Sequence, residues 1–155
     1  MKQYAYDDVD ALQELVSDEF GDWSEELEIS QELVNQFAEM TGDFNWIHLD
    51  QERAEKESPF GTTIAHGFLT LVMMPKMRGT ASYEITGFNS IVNYGSDKLR
   101  FTGAVPVGSR VRLRSRVKEI SATPKGTKVV QEQHIHVSGQ DDRPALVYEL
   151  IFIYL

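Results

Sequence analysis

The feature that most constrains the fold is an uncharged run, GFLTLVMM, which spans residues 67–74 and is followed by Pro75. Leucine and methionine favour a helix over this run, and the proline should kink or end it. A helix that is apolar on every side must be enclosed by protein. The rest of the chain therefore has to supply a layer that wraps around this helix.

The second half of the chain predicts such a layer. Segments rich in Val, Ile, Phe and Tyr alternate with turn residues, and their short connections favour antiparallel pairing. The predicted strands cover residues 86–95, 97–104, 109–121, 127–138 and 144–154. With helices in the first half, the pattern predicts an α+β fold in which an antiparallel sheet curls around a central helix.

The strand RVRLRSRVK places the basic residues from Arg110 to Lys118 on one face. We expect this face to lie in solvent and to pair across strands with acids such as Glu132. His134 and His136 also share a strand face, but no third ligand is evident. A solvated strand face is therefore favoured over a metal site for these two residues.

The first 57 residues predict mainly helices. Apolar residues at helical spacing predict an amphipathic helix over residues 5–20, and alternation predicts a short strand over 22–29. Ser30 is a good N-cap for a second helix that Thr41 and Gly42 end. Asp50 is a possible N-cap for a short polar helix over residues 51–57.

Length and composition restrict the class of protein. At 155 residues the chain predicts a single domain, residues 1–155. No stretch reaches the roughly 18 to 20 apolar residues of a membrane span, and no signal peptide is expected, so we expect a cytoplasmic protein. The net charge of −9 argues against nucleic-acid binding, and the absence of Cys excludes disulfides and a thiolate nucleophile.

The loop TGDFNWIH, residues 41–48, carries the first candidate chemistry. Asp43 and His48 are five residues apart, so a turning backbone can bring them together. A carboxylate and a neutral imidazole on one water can orient it, remove a proton and return a proton elsewhere. An ordinary polar turn remains the alternative, since Asp after Gly is common in turns.

The stretch AHGF, residues 65–68, carries the second candidate feature. Gly67 stands at the start of the uncharged helix, where the backbone N–H has no intrahelical partner. Such an N–H can stabilise a carbonyl oxygen that becomes enolate-like, and glycine allows close approach of a ligand. A plain loop-to-helix glycine is the alternative. Together, the two features suit addition of water across a double bond conjugated to a carbonyl.

These residues carry a resemblance to a known family. FAEMTGDFNWIHLDQERA, followed by SPFGTTIAHGFLTL, resembles the signature of MaoC-like dehydratases and R-specific enoyl-CoA hydratases. The positions that match the first motif are Phe37, Thr41, Gly42, Asp43, Asn45, Ile47 and His48. Trp46 stands where the family has Pro, as in the subgroup resembling nodulation protein N. The resemblance covers most of residues 23–155 and leaves residues 1–22 as an N-terminal helical extension.

The resemblance implies a single hot-dog fold with a long central helix, which pairs with a second copy as a homodimer. It implies that Asp43 and His48 activate the catalytic water and that the Gly67 N–H is the oxyanion donor. The implied reaction is the (R)-specific hydration of trans-2-enoyl-CoA to (R)-3-hydroxyacyl-CoA, or its reverse. It needs no metal and no redox cofactor, and coenzyme A enters only as part of the substrate.

The remaining expected contacts are with the substrate. Asn45 should shape the loop or touch the acid/base pair, and Trp46 should alter the loop or the acyl pocket. His66, Phe68 and Tyr94 are further candidates for substrate contact. Two other functions remain open: a hot-dog acyl-CoA thioesterase, which would not need the Asp/His spacing, and a non-catalytic acyl-thioester-binding protein.

Overall fold

A computed structural model describes residues 1–77 and 79–155. The strands are β1 (Lys2–Ala5), β2 (Leu27–Glu28), β3 (Tyr83–Thr86), β4 (Ile91–Phe101), β5 (Arg110–Thr123), β6 (Gly126–Val137) and β7 (Leu146–Tyr154). The helices are α1 (Val9–Leu12), α2 (Gln31–Thr41), α3 (Trp46–Leu49), α4 (Gln51–Glu57) and α5 (Gly67–Val72), with 3₁₀ turns at Gln13–Leu15 and Met74–Lys76. Within these described ranges, no helix combines the length and the apolar character that crossing a bilayer requires.

The main sheet has the strand order β2-β5-β6-β7-β4, and every neighbouring pair is antiparallel. A smaller parallel pair joins β1 to β3. One face of the main sheet packs against α2 and α5 around a core that includes Val34, Leu69, Ile135 and Leu146. The predicted α+β class is therefore confirmed.

The helix α2 forms where the sequence predicts it, and its end positions the site. The Ser30 hydroxyl accepts a hydrogen bond from the Leu33 N–H at 3.1 Å. At the other end, Gly42 adopts a left-handed φ of 78° and donates its N–H to the Ala38 carbonyl at 2.8 Å. The chain therefore leaves the helix immediately before Asp43.

The central helix α5 is shorter than expected. It has six residues, and a 3₁₀ turn containing Pro75 follows it. Leu69 is buried, whereas the side chains of Phe68 and Val72 are 61% and 53% exposed. Because one side of the helix is open, a single chain does not enclose it completely.

Two strands expected on either side of Gly95 and Ser96 are one continuous strand, β4. Its register against β7 shifts between Asn93 and Gly95 and again between Ser96 and Lys98. Bulges of this kind absorb extra residues without ending a strand, which explains why turn-forming residues did not make a turn. β4 lies at the edge of the sheet.

The prediction of a helix over residues 5–20 is wrong for most of that segment. The segment contains the end of β1, the four-residue α1 and a 3₁₀ turn, and it then runs beside β5. The N–H groups of Ser17, Gly21 and Ser24 donate to carbonyls of β5 at 2.8–3.0 Å. These hydrogen bonds replace helical ones, and only Leu27–Glu28 of the strand expected over 22–29 forms β2.

The same segment covers the sheet face that was expected to lie in solvent. Phe20 packs on His134 with ring centroids 4.5 Å apart, and Trp23 packs on His136 at 4.9 Å. His136 is consequently 0% exposed. The solvated-face expectation for this histidine pair is wrong, because the sequence does not reveal which segment lies over the strand.

The arginines of β5 share this covered face. The Arg112 guanidinium lies 4.2 Å from the Trp23 ring centroid, and Arg114 lies 4.7 Å from it. The expected cross-strand ion pair does form, with Arg116 and Glu132 2.6 Å apart. The basic stripe is therefore paired as predicted but packs under aromatic rings, which favour stacked guanidinium groups.

Candidate active site

The loop after α2 is held by its own polar groups. The Asn45 side-chain oxygen accepts a hydrogen bond from the Ile47 N–H at 3.2 Å and so caps α3. The Asp43 carboxylate accepts a long bond of 3.3 Å from the Asn45 N–H. Asn45 therefore shapes the loop, as expected, and Asp43 lies exposed at its start.

His48 is oriented by a backbone carbonyl. Its Nδ1 lies 2.7 Å from the Ile64 oxygen, and because a carbonyl can only accept, Nδ1 carries the hydrogen. Partial burial lowers the pKa of the His48 imidazole, although the bond to Ile64 opposes this change. The ring is therefore neutral near pH 7, with a free lone pair on Nε2.

His66 is the buried partner of His48. Its side chain is 3% exposed, and its Nε2 donates to the backbone carbonyl of Asp43 at 3.0 Å. The His66 and His48 rings stack with centroids 3.9 Å apart and planes 28° from parallel. His66 thus joins the start of α5 to the loop that carries Asp43.

The two sequence motifs converge in space. One ligand atom from each of Asp43, His48 and His66 lies within 4.8 Å of the other two. The carboxylate and the imidazole that the sequence singled out are therefore close enough to share one water, and a second imidazole accompanies them.

Gly67 follows His66 and begins α5, so its N–H has no carbonyl to bond within the helix. A Cβ at this position would lie 2.8 Å from the Phe101 ring, so any larger residue would require the ring or the helix to shift. Phe101 comes from β4 and also meets Phe68 edge to face, with ring centroids 5.6 Å apart. The start of α5 is therefore closely packed against the edge strand.

Two cavities meet at His48 and Gly67. One of about 290 Å³ also contains Asp43, His66 and Phe68 at its wall. The other, of about 400 Å³, is lined mainly by apolar residues, among them Phe60, Ile64, Ala65, Phe101, Val105 and Leu146. His48 thus faces an apolar space of the kind that holds small-molecule ligands, and Asp43 lies at the wall of the adjoining cavity.

Two predicted substrate contacts lie elsewhere. The Trp46 ring packs under the Arg53 guanidinium of α4 at 4.1 Å, where it joins two helices. Tyr94 is 69% exposed and lines a separate cavity with Lys125 and Lys128. Within one chain, neither residue lines the two cavities at Asp43 and His48.

Sequence reasoning missed three contributors to the site. Phe101 sits in a strand far from either motif, and nothing local indicates that its ring meets Gly67. Ile64 acts through its backbone carbonyl, which any residue supplies. A third group, the buried Thr70 hydroxyl, lies one turn along α5 from Gly67 and lines the apolar cavity.

Comparison with known proteins gives independent information on the family. The family described as MaoC like domain matches residues 18–140. The 3-hydroxyacyl-thioester dehydratase Z of Mycobacterium tuberculosis is 44% identical over 135 residues, which cover 86% of this chain and 85% of that protein. Nodulation protein N of Rhizobium leguminosarum bv. viciae is 38% identical over 130 residues, which cover 84% and 81%.

A solved structure supports the fold. The (R)-hydratase from A. caviae involved in PHA biosynthesis superimposes with a TM-score of 0.69 and 22% identity, covering 90% of this chain and 98% of that one. This likeness confirms the hot-dog arrangement of sheet and central helix.

Proposed function

Because the chain belongs to the MaoC-like domain family, we propose that it is a 3-hydroxyacyl-thioester dehydratase. It adds water to trans-2-enoyl-CoA to give (R)-3-hydroxyacyl-CoA, or catalyses the reverse elimination. The observation that carries the proposal is the convergence of Asp43 and the neutral His48 beside Gly67. The name of the mycobacterial relative supports the same reaction class.

Asp43 and His48 hold the water in this mechanism. The water donates one hydrogen to the Asp43 carboxylate and the other to Nε2 of His48, which fixes the direction of its lone pair. Its oxygen attacks C3 of the enoyl thioester, one proton passes to the acid/base pair, and a proton from that pair reaches C2. The sum is the addition of H and OH. No electrons are transferred, so no redox cofactor is required.

Gly67 stabilises the intermediate in this proposal. As C3 gains oxygen, negative charge moves to the thioester carbonyl oxygen, and the Gly67 N–H donates a hydrogen bond to it. The apolar cavity beside Gly67 excludes water from that charge and strengthens the bond. Phe68 and His66 line the neighbouring space in which the thioester lies.

The test follows the loss of enoyl-thioester absorbance with crotonyl-CoA and longer enoyl-CoAs. Asp43→Asn and His48→Ala should each reduce turnover by roughly 10² to 10⁴. Glu39→Gln, which changes an exposed carboxylate on α2, serves as the matched control and should retain the wild-type rate. Near-native turnover in either site variant would show that the assigned roles are wrong.

The two alternatives give different outcomes in the same samples. A thioesterase releases a thiol that a thiol reagent detects, whether or not the acyl chain is unsaturated. A non-catalytic binding protein binds enoyl-CoA and leaves its absorbance unchanged. The paired acid and base favour the hydratase over both, because thioester binding alone does not need them.

We also propose that the protein is a homodimer joined at β4. This edge strand has 11 residues, and its exposed side chains include Ile91, Val92, Tyr94 and Phe101. An exposed, apolar edge pairs readily with another strand. The open side of α5, with Phe68 and Val72, extends the same apolar surface, and a two-fold axis would cover both copies.

Light scattering tests the dimer. Val92→Lys introduces a charge on the β4 edge and should produce a monomer. Ala122→Lys introduces the same charge at an exposed position of β5, which β6 and β7 separate from β4. This variant should leave the dimer intact. A dimer that persists in Val92→Lys, or that dissociates equally in both variants, would argue for another interface.

A further inference from the structure

The cluster of Asp43, His48 and His66 has a second chemical capacity besides holding a water. It offers one carboxylate and two imidazoles, and one ligand atom of each lies within 4.8 Å of the others. A metal at about 2.0–2.2 Å from each donor needs donor atoms roughly 3–4 Å apart, so the three donors would have to approach one another by about 1 Å to share one ion.

Both imidazoles are fixed in the tautomer that a metal ligand requires. The Nδ1–H of His48 donates to the Ile64 carbonyl at 2.7 Å, and the Nε2–H of His66 donates to the Asp43 carbonyl at 3.0 Å. The lone pairs therefore remain on Nε2 of His48 and Nδ1 of His66. Metal-bound histidines characteristically donate their other N–H to a carbonyl or carboxylate, and both rings already do so.

A separate observation indicates that a ligand is missing at His66. Its Nδ1 is buried and has no hydrogen-bond partner among the described residues, although the same residue lines the cavity with Asp43 and His48. A buried acceptor without a partner is unfavourable, and a bound ion or water at the cluster centre would satisfy it.

We propose that this cluster binds a divalent transition-metal ion, with Zn²⁺ as the best match, and that the bound ion inhibits the enzyme. Two nitrogens and one carboxylate oxygen suit Zn²⁺, Co²⁺ and related ions, whereas Mg²⁺ and Ca²⁺ prefer oxygen ligands alone. Water would fill the remaining coordination positions of the ion. Inhibition rests on the proposed function, but metal binding does not.

Inhibition follows from competition for the same lone pair. An ion on Nε2 of His48 and on the Asp43 carboxylate occupies the two acceptors that hold the reacting water. His48 bound in this way cannot take up the proton that the water must release. The enzyme should therefore lose activity in proportion to metal occupancy and regain it when a chelator removes the ion.

The binding test uses untagged, chelator-treated protein titrated with Co²⁺, whose visible absorption reports its ligands, and with Zn²⁺ in a calorimeter. We expect one saturable site per chain and no comparable heat with Mg²⁺. Asp43→Asn should weaken Co²⁺ binding by at least about tenfold. Asp43 is exposed, so this variant is not expected to disturb folding, and His66→Gln should weaken binding in the same way.

Two controls identify the site. Glu39→Gln removes the same charge from a nearby exposed carboxylate, and His134→Gln removes an imidazole from the other sheet face; both should bind Co²⁺ as the wild type does. Equal weakening in Asp43→Asn and Glu39→Gln, loss of binding in His134→Gln, or no saturable binding would overturn the proposal.

The activity arm separates the two proposals. Zn²⁺ should abolish crotonyl-CoA hydration and a chelator should restore it; full activity at saturating Zn²⁺ would refute inhibition. If the protein hydrates no enoyl-CoA yet binds Co²⁺ with the expected variant pattern, the metal site stands and the proposed function fails. If the protein hydrates enoyl-CoA but binds no Co²⁺, the proposed function stands and the metal site fails.

Discussion

Replacing Gly67 with alanine tests the close contact at the start of α5. A Cβ at this position would lie 2.8 Å from Cδ1 and Cε1 of Phe101 and 3.2 Å from Cγ. Carbon atoms pack best at about 3.5–4.0 Å, so the ring must retreat by roughly 0.7 Å or more, or α5 must move. Both movements change the space beside the Gly67 N–H.

The expected change in stability is small. Alanine is a better helix former than glycine by roughly 0.5–1 kcal/mol, whereas overpacking costs typically about 1–3 kcal/mol. Phe101 is 46% exposed, so its ring can move and the cost should fall at the lower end. The free energy of unfolding should therefore change by no more than about 1 kcal/mol.

The expected change in activity is larger. A misplacement on the order of 1 Å at a reacting centre costs roughly 100-fold in rate, so kcat/KM for crotonyl-CoA should fall about 10- to 100-fold. Differential scanning calorimetry measures the stability, and the loss of enoyl absorbance measures kcat/KM. Light scattering on the same samples shows whether the oligomeric state is unchanged.

A second variant identifies the cause. Phe101→Leu removes the ring that the new methyl group meets, so Gly67→Ala combined with Phe101→Leu should recover much of the lost kcat/KM. The coupling energy should be on the order of 1–2 kcal/mol. Near-native kcat/KM in Gly67→Ala alone, or losses that simply add in the double variant, would refute the steric argument.

Three further predictions concern the framework of the fold. Trp46→Ala and Arg53→Ala should show a coupling energy of about 0.5–1 kcal/mol in a double-mutant cycle of denaturant unfolding, because the ring and the guanidinium are stacked; simple additivity would contradict this. Gly42→Ala should lower the free energy of unfolding by about 1–2 kcal/mol, since alanine is strained at φ 78°, and Gly42→Asn should cost less. Burial lowers the pKa of His136. As the pH falls, the His136 imidazole is therefore protonated near pH 6.5 in the unfolded chain, but only at a lower pH in the folded chain. Stability should therefore be complete above about pH 6.5 and fall as the pH drops through the lowered pKa, and His136→Asn should flatten this slope in urea titrations.

Local sequence predicted much of the framework. The cap residues Ser30 and Gly42 set the limits of α2, and β-forming periodicity located the strands of the second half. The motif spacing alone singles out Asp43, His48 and Gly67. These signals succeed because caps and alternating side chains act within a few residues of the chain.

The errors arose where distant segments compete for the backbone. Residues 5–20 have a helical pattern, but Ser17 and Gly21 donate to β5 instead. The same pairing carries Phe20 and Trp23 over the histidine face. Periodicity does not specify which sheet edge a segment will meet, so tertiary hydrogen bonds override local preference.

By itself, then, the sequence determined the fold class and singled out Asp43, His48 and the glycine at the start of α5. Only the tertiary structure decided that His66 binds the Asp43 carbonyl, that Phe101 closes on Gly67, and that Trp46 packs on Arg53 rather than into a cavity. Two of these contacts join different parts of the fold, and even the nearby Trp46–Arg53 pair depends on the angle between two helices. Side-chain direction at such junctions is fixed by the packing of whole elements, which no short stretch of residues encodes.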